Sequence, residues 1–216
     1  MKDEKEIIEI VNELILRYPV LEKDFDSIIE AYECLKKSYL SGGKLLLAGN
    51  GGSAADCEHI SGELMKSFKI PRKIELNFSK KLVDIDEKIG QDLSEKLEKG
   101  LVTIPLVSNK ALITAYINDV GADNIFAQQL FVLGEKNDVF LAISTSGNSE
   151  NIIRTVVTAK AIGMKVIGLT GKDGGRLAKM SDISIIAPEM DTFKIQELHL
   201  PIYHCLCMML EKYFFG

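Results

Sequence analysis

The sequence has 216 residues, of which 46% are hydrophobic and 26% charged, and its formal net charge at pH 7 is −5. This length suits one α/β domain with a sizeable core or two small ones, and the acidic balance without a long basic run argues against nucleic acid as the primary partner. No apolar run reaches the roughly 20 residues that span a membrane, and the acidic, amphipathic N-terminus does not resemble a signal peptide. Four cysteines at 34, 57, 205 and 207 form no CxxC pair, which favours reduced thiols in a cytoplasmic protein.

Apolar spacing predicts two amphipathic helices, over 3–17 and 23–40, before a series of alternating strands and helices. Helices of this kind usually pack on a partner face, so we expect residues 1–43 to take part in oligomer packing. Five short apolar runs, bounded by Gly, Asp, Ser or Pro, are typical of buried parallel strands. They are Lys44–Ala48, Leu101–Val107, Val139–Ile143, Val166–Leu169 and Ile183–Ala187. Helices are predicted at 53–68, 111–118 with 123–133, 149–162, 174–180 and 193–213. Repeated strand–helix units of this kind predict a doubly wound α/β sheet.

Residues 71–100 are charged and only weakly periodic. We expect a loop followed by a short helix near 91–98. This segment is either a solvated insertion or a flap over a site, because long loops in α/β folds often act as lids.

Two polar turns each connect a predicted strand to a predicted helix. The first is Gly49-Asn50-Gly51-Gly52-Ser53 and the second is Ser144-Thr145-Ser146-Gly147-Asn148-Ser149. Glycines allow backbone N–H groups to approach a ligand, helix N-termini attract anions, and hydroxyls donate to phosphate oxygens. Each turn alone is also compatible with a tight connection or an N-cap. Because ligands in such sheets bind at the carboxyl ends of strands, the pair together predicts a monophosphate site.

Other anion-binding motifs fit this chain less well. No Gly-Lys-Ser/Thr follows the first turn, so it is not a P-loop, and it lacks the GxGxxG of dinucleotide sites. A third turn, Thr170–Gly175, occupies the same position after a strand. It could contact ligand, but a tight loop is the preferred interpretation.

Candidates for proton transfer occur on two helices. His59 and Glu63 are four residues apart and share one helix face, and Gln196 and His204 continue a stripe on the last helix. His199 points elsewhere on that helix, and Pro201 removes one of its backbone hydrogen bonds. A lone helical histidine is often a satisfied structural group. The two imidazoles, carboxylate and carboxamide could instead form a zinc site, or a Glu/His pair for proton transfer beside a carbonyl.

These residues carry a resemblance that covers nearly the whole chain. The sequence resembles the SIS (sugar isomerase) domain family and, within it, the phosphoheptose isomerases (sedoheptulose 7-phosphate isomerases). GNGGS together with STSGNS is specific for SIS domains, whereas H-x3-E after the first turn and Q-x7-H in the last helix are more specific for the heptose group. The resemblance implies one SIS domain over 1–216. It would be a three-layer α/β/α sandwich with a five-stranded parallel sheet, flavodoxin-like and preceded by two helices, with 71–100 as an insertion.

The resemblance also implies a set of site residues, a metal and an assembly. Asn50, Gly51, Gly52 and Ser53 would line the sugar phosphate, Ser144, Thr145, Ser146 and Ser149 would bind the phosphate, and Asn118 and Asp119 would hold sugar hydroxyls. His59, Glu63, Gln196 and His204 match positions that bind zinc, one ion per subunit, and Glu63 and Gln196 would also contact substrate. Glu63 and His204 match the general base and acid of a ketose–aldose isomerisation through an enediol. The implied protein is a homotetramer with sites at subunit interfaces, with no nucleotide cofactor and no nucleic-acid or membrane partner.

Departures from the family pattern keep other functions open. Residues 71–100 are longer than the expected link, Phe193 replaces an Asp found in some members, and Lys66 and Ser67 stand where an Arg is expected. Besides a sedoheptulose 7-phosphate isomerase, the chain could be an isomerase of another sugar phosphate, such as an arabinose 5-phosphate type. It could also be a non-catalytic SIS protein that binds a phosphosugar or a replication initiator.

Overall fold

The computed structural model describes residues 2–216, with side chains from residue 5 onward. Its centre is a five-stranded, fully parallel sheet in the order β2-β1-β3-β4-β5. The strands are β1 (Leu45–Ala48), β2 (Thr103–Pro105), β3 (Val139–Ser144), β4 (Lys165–Gly171) and β5 (Ile183–Ala187). All five lie within or beside the predicted runs, and the predicted three-layer α/β sandwich is confirmed.

Ten α-helices are found in the described residues. They are α1 (Lys2–Arg17), α2 (Phe25–Leu40), α3 (Gly52–Met65), α4 (Leu76–Ile85), α5 (Glu87–Lys96), α6 (Lys110–Asp119), α7 (Ile125–Leu133), α8 (Glu150–Ile162), α9 (Gly175–Met180) and α10 (Thr192–Phe215). Two 3-10 turns, Pro19–Asp24 and Ala122–Asn124, precede α2 and α7. The last helix continues through Pro201, which is buried within it.

Two hydrophobic clusters fill the two faces of the sheet because successive strand residues point to opposite sides. Leu45 and Leu47 belong to the cluster that packs against α1, α2, α3 and α10. Leu46 and Ala48 belong to the cluster formed with α6 to α9. None of the helices in the described residues is long and apolar enough to cross a bilayer.

The expectation of a loop with one short helix near 91–98 is wrong, because residues 76–96 form a hairpin of two helices. The side chains of α4 and α5 are mostly exposed, and only Gly90 is fully buried. A Cβ at Gly90 would lie 2.3 Å from the backbone of Leu82, so glycine permits the two helices to touch. The Asp86 carboxylate accepts the backbone N–H of Ile89 at 2.8 Å and caps α5. The charged composition of this segment concealed the hairpin, although the apolar residues of α4 and α5 do recur at helical spacing.

Candidate active site

Sheet topology brings the two polar turns together. Strands β1 and β3 are neighbours, with Ala48 paired to Ala142, and the chain leaves β1 for β2 on one side and β3 on the other. The turns after β1 and β3 therefore lie at the carboxyl edge of the sheet at its topological switch point, where ligands of such folds bind. Asn50 of the first turn and Asn151 of α8 exchange two amide hydrogen bonds of 2.9 Å, which join the first turn to the helix that follows the second.

The first turn is shaped by glycine. Gly51 has φ +57°, which other residues adopt rarely. A Cβ on Gly52 would lie 2.6 Å from the amide nitrogen of Gln196. The carboxamide of Gln196, on α10, therefore packs directly against this turn. Ser53 follows inside α3 and is buried.

The second turn presents a cluster of hydroxyls at the end of β3. The Ser144 and Ser149 hydroxyls are 3.1 Å apart, and Ser146 accepts the backbone N–H of Asn148. Gly147 is required here because a Cβ would lie 2.0 Å from the Gly174 carbonyl oxygen. The third turn therefore packs on the second and supports it, which agrees with its interpretation as a tight loop.

A cluster of three side chains from α3 and α10 lies at the surface of the chain. His59 Nε2 is 3.2 Å from Glu63 Oε1 and 3.4 Å from His204 Nε2. Sequence spacing placed His59 beside Glu63, and the tertiary structure adds His204. Partial burial and the neighbouring His59 lower the pKa of His204, so its imidazole is neutral near pH 7. One carboxylate oxygen of Glu63, Oε2, is buried without a hydrogen-bond partner and has only Lys66 Nζ at 3.5 Å.

Two residues that the sequence analysis missed hold His59 in place. The Tyr203 hydroxyl is 2.9 Å from His59 Nδ1 and donates to Asp56 at 3.3 Å. Burial raises the pKa of both Tyr203 and Asp56. One face of α3 carries Asp56, His59 and Glu63, at i, i+3 and i+7. Helical spacing alone therefore places Asp56 beside His59. Tyr203 could be found only from the packing of α10 on α3.

Other candidates are not joined to this cluster. Asn118 and Asp119 end α6 with exposed side chains that bond to each other at 2.8 Å. His199 is buried and lies 3.1 Å from the Thr170 carbonyl oxygen, apart from the other histidines. Among the described residues, no hydrogen bond connects Gln196 with His59, Glu63 or His204.

The family resemblance implies a zinc ion at the cluster of His59, Glu63 and His204. No group of three or more His, Cys, Asp or Glu side chains in the described part of the chain is arranged to hold a metal. The separations of His59 Nε2 from Glu63 and from His204, 3.2 and 3.4 Å, nevertheless match the roughly 3.4 Å between neighbouring ligands of a tetrahedral zinc bound at 2.0–2.1 Å. Two imidazoles and a carboxylate are also ligands that zinc prefers. The chemistry of the donors therefore fits zinc, while Gln196 lies against Gly52 instead.

Comparison with known proteins identifies relatives across the whole chain. A model described as "SIS domain" matches residues 99–171. The phosphoheptose isomerase of Helicobacter pylori (strain Shi470) is 35% identical over 209 residues, covering 95% of each chain, and that of Helicobacter hepaticus is 39% identical over 86% of this chain and 82% of its own.

Solved structures give the same result. A phosphoheptose isomerase from Neisseria gonorrhoeae matches with a TM-score of 0.72 and 30% identity, covering 96% of this chain and 98% of its own. One from Francisella tularensis matches with a TM-score of 0.70 and 34% identity, covering 86% and 85%. Together with the two turns and the cluster on α3 and α10, these similarities show that the chain belongs to the phosphoheptose isomerase family of SIS-domain proteins.

Proposed function

We propose that this protein is an aldose–ketose isomerase that converts sedoheptulose 7-phosphate into D-glycero-D-manno-heptose 7-phosphate. The observation that carries the proposal is the contact of Glu63 and His204 through His59 on α3, the helix that begins at the first of the two phosphate-type turns. The relatives, which are phosphoheptose isomerases, favour the same reaction class.

The phosphate end of the substrate is assigned to the two turns. Ser144, Thr145, Ser146 and Ser149 would donate hydroxyl or backbone hydrogens to the phosphate oxygens, which accept strongly. Asn50, Gly51, Gly52 and Ser53 would line the adjoining part of the sugar phosphate, with Gln196 beside them. Asn118 and Asp119 remain proposed contacts of the sugar hydroxyls. Their exposure leaves both side chains free to meet a ligand or a neighbouring subunit.

The proton-transfer end is assigned to Glu63 and His204. Glu63 would remove the proton from C1 of the ketose, next to the C2 carbonyl, to form an enediol, and would return it to C2 to give the aldose. His204, neutral near pH 7, would pass the hydroxyl proton between O1 and O2. No atom is gained or lost, so the step needs no redox cofactor and no nucleotide.

Zinc is proposed as the metal of this site. His59, Glu63 and His204 would hold it, with Gln196 completing the set if its side chain turns from Gly52. When bound, zinc would supply positive charge for the developing oxyanion. Tyr203 would fix the ring of His59 through Nδ1, as partners in the outer shell of metal sites do.

A homotetramer, single-domain organisation and a cytoplasmic location complete the proposal. Large apolar side chains on α7 are exposed in the single chain, with Phe131 at 68% and Val132 at 69%, which supports burial in an assembly. Four unpaired thiols, three of them buried, suit a reducing compartment. Light scattering of the purified protein measures the assembly, and a monomer at micromolar concentration would contradict it.

The activity is tested by incubating purified protein and zinc with sedoheptulose 7-phosphate and following the aldose product. Glu63→Gln is expected to lower kcat by at least about a hundredfold, since it removes the base. The matched control is Glu58→Gln on the same helix, whose carboxylate instead accepts from Ser108. Absence of aldose product, or Glu63→Gln as active as Glu58→Gln, would refute the isomerase. Binding of the sugar phosphate without turnover would favour the binding-protein alternative, and turnover of only a five-carbon ketose phosphate would favour the other isomerase.

A further inference from the structure

A buried ion pair closes the end of the helix that carries His59 and Glu63. Arg72 and Glu211 are each 1% exposed; Arg72 donates from Nε to a carboxylate oxygen of Glu211 at 3.0 Å, and one of its terminal nitrogens lies 2.9 Å from the same oxygen. Glu211 lies near the end of α10, nearly two turns beyond His204. The guanidinium also lies 4.5 Å from the centre of the Phe215 ring. Such a pair is expensive to bury, so each of its remaining hydrogen-bonding groups needs a partner.

The remaining donors of Arg72 point at the last turn of α3. One terminal nitrogen donates to the Leu64 carbonyl at 2.7 Å, and the other donates to the Glu63 carbonyl at 3.0 Å. The last carbonyls of a helix have no partner within the helix. At α3 the next residue, Lys66, is already extended, so no further helical turn follows, although the Leu64 carbonyl also accepts the backbone N–H of Leu101 at 2.9 Å. Arg72 therefore caps the C-terminal end of α3 with its side chain.

Glu211 secures the segment between α3 and Arg72 as well. Its two carboxylate oxygens accept the backbone N–H groups of Phe68 and Lys69, at 2.7 and 2.8 Å. The Phe68 ring in turn lies 5.2 Å from the ring of His204. One buried carboxylate thus connects α10, the segment after α3 and the Arg72 cap.

The direction of the Glu63 carboxylate depends strongly on this cap. Its Oε1 has a partner in His59, but its Oε2 has no hydrogen-bond partner. The direction of the carboxylate is therefore set mainly by the backbone of the last turn of α3, whose Glu63 carbonyl is held by Arg72. A proton-transfer group misplaced by about 1 Å can lose about a hundredfold in rate.

We propose that Arg72, held by Glu211, is a positioning residue for Glu63. It fixes the last turn of α3 so that the carboxylate stays in reach of the carbon that loses its proton. This inference rests on the proposed isomerase function. The same residue also fastens the helical hairpin, because the Arg72 carbonyl accepts the Lys99 N–H at 2.7 Å beside the Lys73–Glu98 bridge.

The test compares Arg72→Lys with Asp138→Asn, a control matched in structure but distant from the site. Asp138 is also buried at 2% exposure, accepts two backbone N–H groups from Lys44 and Glu135, and pairs with the Lys44 ammonium. A lysine keeps the charge of Arg72 but cannot bond both carbonyls and Glu211 together. Glu211→Gln is the second variant, should Arg72→Lys fail to fold.

Two readouts separate positioning from general stability. Arg72→Lys is expected to lower kcat about tenfold or more with KM changed by less than about threefold, because the first phosphate turn lies at the opposite end of α3 and the second follows β3. In hydrogen–deuterium exchange, the amides of 62–66 are expected to exchange about tenfold faster than in wild type, whereas Asp138→Asn leaves both readouts near wild type.

The results separate a failure of the positioning role of Arg72 from a failure of the proposed isomerase function. A kcat loss in Arg72→Lys no larger than in Asp138→Asn, or unchanged exchange at 62–66, overturns the positioning role. If the wild type shows no isomerase activity, the proposed function fails, while the exchange measurement still tests whether Arg72 holds the end of α3.

Discussion

The imidazole of His199 is fully buried, and we expect it to make the stability of the protein depend on pH. Its Nε2 lies 3.1 Å from the Thr170 carbonyl oxygen and donates to it, while Nδ1 has no partner. Protonation would place a charge and an unpartnered N–H inside the core, so burial lowers the pKa of His199 from 6.5 to about 4. The native state therefore holds this ring neutral at pH values where the unfolded chain is protonated.

The sign and size of the change in stability with pH follow from this difference in the pKa of His199. Because the folded pKa lies below the unfolded value, the contribution of His199 to stability is present above about pH 6.5 and is lost as the pH falls toward 4. Between pH 7 and pH 5 the loss is about 2 kcal/mol, since each pKa unit of difference corresponds to about 1.4 kcal/mol.

The measurement is urea unfolding of wild type and His199→Gln at pH 7 and pH 5, at one protein concentration. Gln can still donate to the Thr170 carbonyl but does not titrate, so wild type should lose about 2 kcal/mol more stability than the variant on acidification. Other titrating groups, such as the buried Asp24 carboxyl with its raised pKa, are common to both proteins and cancel in the comparison. Equal losses in the two proteins would refute the reasoning.

Three further changes test other parts of the structure. Gly147→Ala should lower the free energy of unfolding by at least about 2 kcal/mol, because φ is +65° and the added Cβ would lie 2.0 Å from the Gly174 carbonyl oxygen; unchanged stability in denaturant would contradict this. Ser149→Ala should raise KM for the sugar phosphate about tenfold with kcat little changed, since a hydroxyl donor to phosphate is lost; steady-state kinetics measure it, and an unchanged KM would remove Ser149 from the site. Replacing residues 76–96 by a short Gly-Ser linker should move Tm by less than about 3 °C, because α4 and α5 bury side chains mainly against each other; a fall above about 10 °C in a circular-dichroism melt would show that the hairpin supports the core.

The sequence alone determined the features that depend on neighbouring residues. Apolar runs bounded by turn residues located all five strands, since buried parallel strands are short and continuously apolar. Helical spacing placed His59 beside Glu63, because residues four apart share a helix face. The two polar turns were readable for the same reason, as each follows a strand and opens a helix within a few residues.

Only the tertiary structure decided which distant segments meet. His204 reaches His59 across 145 positions of sequence, and Arg72 reaches Glu211 across 139. No periodicity records such pairs, because they arise from how α10 packs on α3 and on the segment that follows it. The hairpin over 76–96 was missed for a related reason. Its two helices are amphipathic but leave much of their apolar surface exposed, and only the packing of one helix on the other around Gly90 distinguishes them from a solvated charged segment.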